Sequence, residues 1–214
     1  MNDLLGITLT DPRVLAYLGT QDRWIQKIRL LKEQFSFSKP VEVMLFDGTE
    51  ELGCYLGMEV PNWVTGTYSD GRILMLDYPA WVDKRSGEFG QIVVHELTHV
   101  IVNDRTASRC PLWLHEGLAL HFAEQTASMW IEEDCFSKED AYQLDYGDEH
   151  LYNLCGALID SLIGTYGLKA ILSKLSPKTN FQEDDWLGVE AMKGVIRQLK
   201  QSVTGGAIST CHLP

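Results

Sequence analysis

Residues 92–99 read Ile-Val-Val-His-Glu-Leu-Thr-His, and this stretch decides how the rest of the 214-residue chain is interpreted. Its apolar residues favour a helix with one face in the protein core. His95 and His99 are four positions apart, so on a helix both imidazoles leave the same face one turn apart and can bind one metal ion. Glu96 is one position further round, where its carboxylate can reach a water on that metal without ligating it. The pattern therefore predicts a zinc-binding helix with Glu96 as a general base.

A third ligand is needed, because catalytic zinc sites generally use three protein ligands and leave the fourth position to water or substrate. Residues 111–119 read Pro-Leu-Trp-Leu-His-Glu-Gly-Leu-Ala, which is typical of a second helix with Pro111 in its first turn. Glu116 offers a carboxylate within it. The interval 100–115 leaves room for about two further turns and a loop over residues 104–110. Antiparallel packing of the two helices would bring Glu116 opposite the histidine pair.

Taken together, the two segments resemble those of a known family. Gluzincin metallopeptidases, and among them the peptidase MA-like group, carry a His-Glu-x-x-His helix followed by a Trp-Leu-x-Glu-Gly helix, and the likeness covers about residues 41–175. It implies a zincin-like domain, a zinc cofactor and hydrolysis of peptide bonds. The residues that carry the resemblance are His95, Glu96, His99, Trp113, Leu114, Glu116 and Gly117.

Residues 151–167 extend this resemblance. They begin near a tyrosine and end in Tyr-Gly, as a later helix of the family does. By resemblance, Tyr152 is a candidate hydrogen-bond donor to the oxyanion of a tetrahedral intermediate, which is a valuable interaction in a water-poor cleft. A role in packing alone stays open for this tyrosine.

Other side chains compete with Glu116 as the third ligand. His115 is disfavoured, because neighbouring helical residues point about 100° apart and the family pattern selects the glutamate. A metzincin would need Gly and His where Val102 and Arg105 stand. A peptide deformylase-like amidase with Cys54 as ligand is a further alternative, but it leaves residues 113–117 unexplained. The structural interpretation of Cys54 is a small buried apolar group at the end of a short helix.

Composition narrows the classes of partner. A formal charge of −12 argues against nucleic acid, which requires clustered Lys and Arg. The acidic residues concentrate over 132–149, and this segment is either a solvated loop or a negative lip that attracts basic peptides.

No stretch approaches the roughly 18 apolar residues that span a bilayer, and residues 1–6 lack the features of a secretory signal. Five irregularly spaced cysteines suit a reducing compartment, so we expect a cytoplasmic protein with no membrane partner.

The predicted fold class is α+β, with a small upstream sheet packed on a mainly helical zincin-like domain. We expect helix over residues 11–36, a strand over 41–46, a short helix over 49–56, and a hairpin of strands 64–68 and 72–76 that turns at Ser69-Asp70-Gly71. The resemblance to the gluzincins implies that this hairpin provides the sheet edge that pairs with an extended peptide. A last helix over 186–201 and a frayed tail should follow. The whole chain, 1–214, is expected to form one domain, with an N-terminal helical segment (1–40), a catalytic core (41–175) and a C-terminal helix and tail (176–214).

The sequence thus predicts a zinc metallopeptidase with His95, His99 and Glu116 as metal ligands and Glu96 and Tyr152 as catalytic residues. A peptide or protein would be the substrate, and the oligomeric state is left open. Aminopeptidase relatives carry Gly-x-Met-Glu-Asn where this chain has Gly-Thr-Tyr-Ser at 66–69, which favours an endopeptidase-like cleft. The alternative from another class is a catalytically silent interaction module on the same fold. The intact Glu96 argues against it, because a structural zinc needs ligands but no base.

Overall fold

The structure, a computed structural model, describes residues 2–4, 7–9, 11–81, 88–126 and 131–204. The described chain divides into two compact units, residues 1–101 and 102–214, and the boundary falls inside one continuous helix. The predicted C-terminal tail, with Cys211 and His212, lies outside the described residues. The expectation of a single domain over the whole chain stays a prediction.

The first unit contains a mixed five-stranded sheet with the strand order β1-β2-β3-β5-β4. Strands β2, β3 and β5 run parallel, and β1 and β4 pair antiparallel at the two edges. The elements in chain order are β1 (Asn2–Leu4), β2 (Ile7–Leu9), α1 (Pro12–Leu18), α2 (Asp22–Gln34), β3 (Val41–Phe46), α3 (Thr49–Leu56), β4 (Gly66–Ser69), β5 (Arg72–Leu76), α4 (Tyr78–Trp81) and α5 (Phe89–Thr106).

The hairpin of β4 and β5 turns where the sequence predicted. Asp70 and Gly71 have φ values of 50° and 73°, so both central residues of the two-residue turn are left-handed. An Asp-Gly pair suits this turn, whose twist matches that of the flanking strands. Strand β4 begins and ends slightly later than the predicted 64–68, and it forms one edge of the sheet as expected.

Two differences from the sequence prediction concern the first 40 residues. The region predicted as one helix over 11–36 is two helices, α1 and α2, because the backbone leaves the helical conformation between them, at Gln21, where φ is −122° and ψ is 62°. Strands β1 and β2 were not predicted. Ile7 pairs with Val41, so the pairing that makes β2 a strand is distant in sequence and leaves little local signal.

The second unit, as far as it is described, is helical. Its elements are α6 (Leu112–Phe122), α7 (Leu151–Tyr166), α8 (Leu168–Ser173) and α9 (Val189–Thr204), with two 3-10 turns at Glu133–Phe136 and Ala141–Gln143. Helices α6 and α7 pack closely, because a Cβ on Gly117 would lie 2.7 Å from the Cys155 carbonyl oxygen. The predicted α+β class with mainly helical content is confirmed.

Helix α9 starts three residues after the predicted position 186. The side chain of Asp184 accepts hydrogen bonds from the backbone N–H groups of Trp186 and Leu187, which holds residues 184–187 in a turn. No helix within the described ranges has the length and apolar character needed to cross a bilayer.

Candidate metal centre

Helix α5 carries the predicted histidine pair. The helix continues to Thr106, three residues into the predicted loop, and buries Val93, Val94 and Leu97. Burial of this apolar stripe fixes the rotation of the helix and therefore the direction of the polar residues on it. His99 is 3 % exposed and His95 is half-buried.

The two imidazoles converge through the same ring nitrogen. His95 Nε2 and His99 Nε2 are 3.1 Å apart. With zinc–nitrogen bonds of about 2.05 Å, a tetrahedral site separates two ligand nitrogens by about 3.3 Å. The observed spacing is therefore close to the spacing that one bound zinc would require.

Strand β4 lies against this part of α5. A Cβ on Gly66 would lie 3.3 Å from Glu96 Cγ and 3.4 Å from Glu96 Oε1, so the strand backbone approaches the candidate base directly. Two residues on, the Tyr68 ring stacks on the imidazole of His99 with centroids 5.1 Å apart. Gly66 and Tyr68 share one face of the strand because side chains alternate along it.

Glu116 is the candidate ligand in the second unit. It lies in the middle of α6, whose residues from Trp113 to Leu120 are all buried, and it is itself 2 % exposed. A carboxylate at this depth needs polar partners. The Tyr146 hydroxyl donates a hydrogen bond of 2.9 Å to Glu116 Oε1.

The predicted ligands form one group. His95, His99 and Glu116 each offer one ligand atom, and these atoms all lie within 4.8 Å of one another. Two imidazole nitrogens and one carboxylate oxygen are a donor set used by catalytic zinc sites. The group could therefore hold a metal ion.

The competing ligands lie outside this group within the described parts of the chain. Cys54 lies in α3 and is exposed, so its interpretation as a buried apolar residue is wrong. That interpretation followed the usual burial of free cysteines, but the buried face of α3 is formed by Leu52. His115 is 5 % exposed and is not part of the group. His121 instead faces Asp160, with Nδ1 and Oδ1 3.6 Å apart.

Tyr152 lies in the first turn of α7 and is half-buried. Its assignment to the oxyanion stays a prediction. Two other tyrosines contact the candidate ligands and were not predicted from the sequence: Tyr68 at His99 and Tyr146 at Glu116. A signal existed for Tyr68, because it is two residues from Gly66 on the predicted edge strand. Tyr146 lies in a charged loop, and no periodicity there indicates which side chain turns inward.

Sequence comparison adds no assignment to this geometry. No protein-family model matches the chain, and no curated protein is significantly similar to it. The resemblance to the gluzincins therefore depends on the motif residues themselves, together with the group that they form.

Proposed function

We propose that this protein is a zinc metallopeptidase of the gluzincin type. The observation that carries the proposal is the grouping of His95, His99 and Glu116, with Glu96 next to the first histidine on α5. A site that only needed metal for stability would have no use for that neighbouring carboxylate. Bound zinc would supply Lewis acidity, lowering the pKa of a water and polarising the scissile carbonyl.

Glu96 acts as the general base in this proposal. It is 6 % exposed, and in such a partly desolvated position a carboxylate interacts strongly with a nearby proton donor. Glu96 takes a proton from the attacking water as its oxygen adds to the peptide carbonyl carbon. It then delivers that proton to the leaving nitrogen as the C–N bond breaks, which yields a free carboxylate and a free amine.

The edge strand β4 is the proposed binding surface for the substrate backbone. Leu76 N–H donates to Thr65 O, and the antiparallel register pairs Thr67 with Leu74. In an antiparallel pair, residues that bond to the partner strand alternate with residues whose N–H and C=O groups point outward. Thr65 and Thr67 therefore bond to β5, and the N–H and C=O groups of Gly66 and Tyr68 point away from it. An extended peptide that pairs with them would run beside Glu96, because Gly66 lies against that carboxylate.

In this proposal, Tyr152 donates a hydrogen bond to the oxyanion of the tetrahedral intermediate. The cleft is proposed to be that of an endopeptidase. We also propose a cytoplasmic location, because the four described cysteines are free, as expected in a reducing compartment. A peptide or protein substrate follows from the reaction class.

The test is cleavage of a diverse peptide library by the wild type and by Glu96→Gln, each loaded with zinc. We expect chelator-sensitive cleavage by the wild type and a loss of about 10²- to 10⁴-fold in the variant. Glu96→Gln should keep its zinc, because Glu96 is not a ligand. Zinc binding by both proteins without cleavage by either would refute the peptidase and favour the silent module.

A further inference from the structure

Tyr146 is held at the candidate site by its hydroxyl group. The residue is 58 % exposed, yet its oxygen reaches a carboxylate that is only 2 % exposed. Burial of apolar surface does not account for this position of the ring, since most of it remains in water. The 2.9 Å hydrogen bond to Glu116 Oε1 fixes the position of the phenol oxygen.

The loop that carries Tyr146 is braced on both sides of it. Lys138 Nζ lies 2.7 Å from Asp148 Oδ2 and 3.3 Å from Asp145 Oδ2. The backbone N–H of Asp145 donates to Asp148 Oδ2, and that of Gly147 donates to Asp145 Oδ1. These bonds involve the residues immediately before and after position 146, so they fix the backbone of the acidic loop on both sides of Tyr146.

We propose that Tyr146 is a positioning residue that orients Glu116 as a metal ligand. Glu116 has three rotatable side-chain bonds, and metal-ligating carboxylates are generally oriented by an outer hydrogen bond. The phenol hydrogen bond to Oε1 restricts rotation of the carboxylate and so holds it in one orientation toward a cation. This inference rests on the proposed metal site.

The experiment compares Tyr146→Phe with the wild type and with Tyr166→Phe. Tyr166 is a matched control, because it is also partly exposed at 39 % and its ring stacks on Trp186 without using the hydroxyl. Zinc affinity is measured by competition with a chromophoric chelator, and coordination by the visible spectrum of the Co²⁺-loaded protein. Urea unfolding of the metal-free proteins checks the fold.

We expect Tyr146→Phe to bind zinc about 10- to 100-fold more weakly and to change the Co²⁺ spectrum, while its metal-free form still unfolds cooperatively in urea and the Tyr166→Phe control keeps wild-type zinc affinity and spectrum. Lys138→Met, which releases the brace, should weaken zinc binding in the same direction but less. Wild-type zinc affinity and an unchanged Co²⁺ spectrum in Tyr146→Phe would overturn the role of Tyr146 and leave the peptidase proposal standing. Failure of the wild type to bind zinc would overturn both.

Discussion

Substitution of Gly66 by alanine tests whether the approach of β4 sets the position of Glu96, the proposed general base. The added Cβ would lie 3.0 Å from Ile92 Cγ2, 3.3 Å from Glu96 Cγ and 3.4 Å from Glu96 Oε1. Carbon atoms pack best at about 3.5 to 4.0 Å, so the Glu96 side chain must move by roughly half an ångström. Gly66→Ala therefore displaces the carboxylate without altering its chemistry.

The size of the effect follows from this displacement. Misplacement of a catalytic group by 1 Å can cost about 10²-fold, so half that distance corresponds to about tenfold if the loss is exponential in displacement. We expect kcat/KM of Gly66→Ala to fall about tenfold with zinc content unchanged. Overpacking against Ile92 should lower the free energy of unfolding by about 1 kcal/mol.

The assay is hydrolysis of a peptide selected from the library, with metal content measured on the same samples. Gly194→Ala is the control, because it adds the same methyl group at a position where, among the described residues and apart from the neighbouring backbone of α9, no atom lies within 4 Å. It should leave kcat/KM unchanged and stabilise α9 by up to about 1 kcal/mol. Wild-type kcat/KM in Gly66→Ala would refute the idea that β4 positions Glu96. Loss of zinc would show that the effect passes through the metal ligands instead.

Three further predictions concern the second unit. Gly117→Ala should lower the free energy of unfolding by about 1 to 3 kcal/mol in urea titrations, because its Cβ would meet the Cys155 carbonyl at 2.7 Å and force α6 and α7 apart. Tyr142→Phe should cost about 1 to 2 kcal/mol by the same measurement, since it removes the one phenol proton that the backbone carbonyls of Phe181 and Leu187 share. Burial alone would raise the pKa of Asp184, but the ammonium of Lys174 at 2.6 Å and two backbone N–H groups outweigh it and hold that pKa below its usual value. A lowered folded pKa stabilises the fold above the unfolded pKa, near 4, and the stabilisation is lost as the pH falls through the folded pKa. Thermal melts from pH 6 to pH 2 should therefore show an acid-induced drop that is smaller in Asp184→Asn, and an unchanged drop would contradict this.

The elements that the sequence predicted well are those with local signals. Helix α3 has the predicted bounds because Gly57, at φ 71°, closes it through a hydrogen bond to Gly53. The hairpin turn followed from Asp-Gly, and the convergence of the His95 and His99 imidazoles followed from a spacing that a helix converts directly into geometry.

The elements that it missed depend on distant partners. Strand β2 forms by pairing with β3, and the gap between α1 and α2 lies where the backbone leaves the helical conformation at Gln21. Tyr146 reaches Glu116 across 30 positions, from a loop whose composition indicates only solvation. The exposure of Cys54 depends on which face of α3 packs, and a two-turn helix carries a weak amphipathic signal.

The most direct test of the account is the location of zinc in crystals of the zinc-loaded protein, from anomalous scattering measured on either side of the zinc absorption edge. We predict one strong anomalous peak, bonded to the Nε2 atoms of His95 and His99 at about 2.0 to 2.1 Å and to one carboxylate oxygen of Glu116 at about 2.0 to 2.2 Å. Zinc bound elsewhere, or bound to the histidines with Glu116 outside coordination distance, would contradict the central claim.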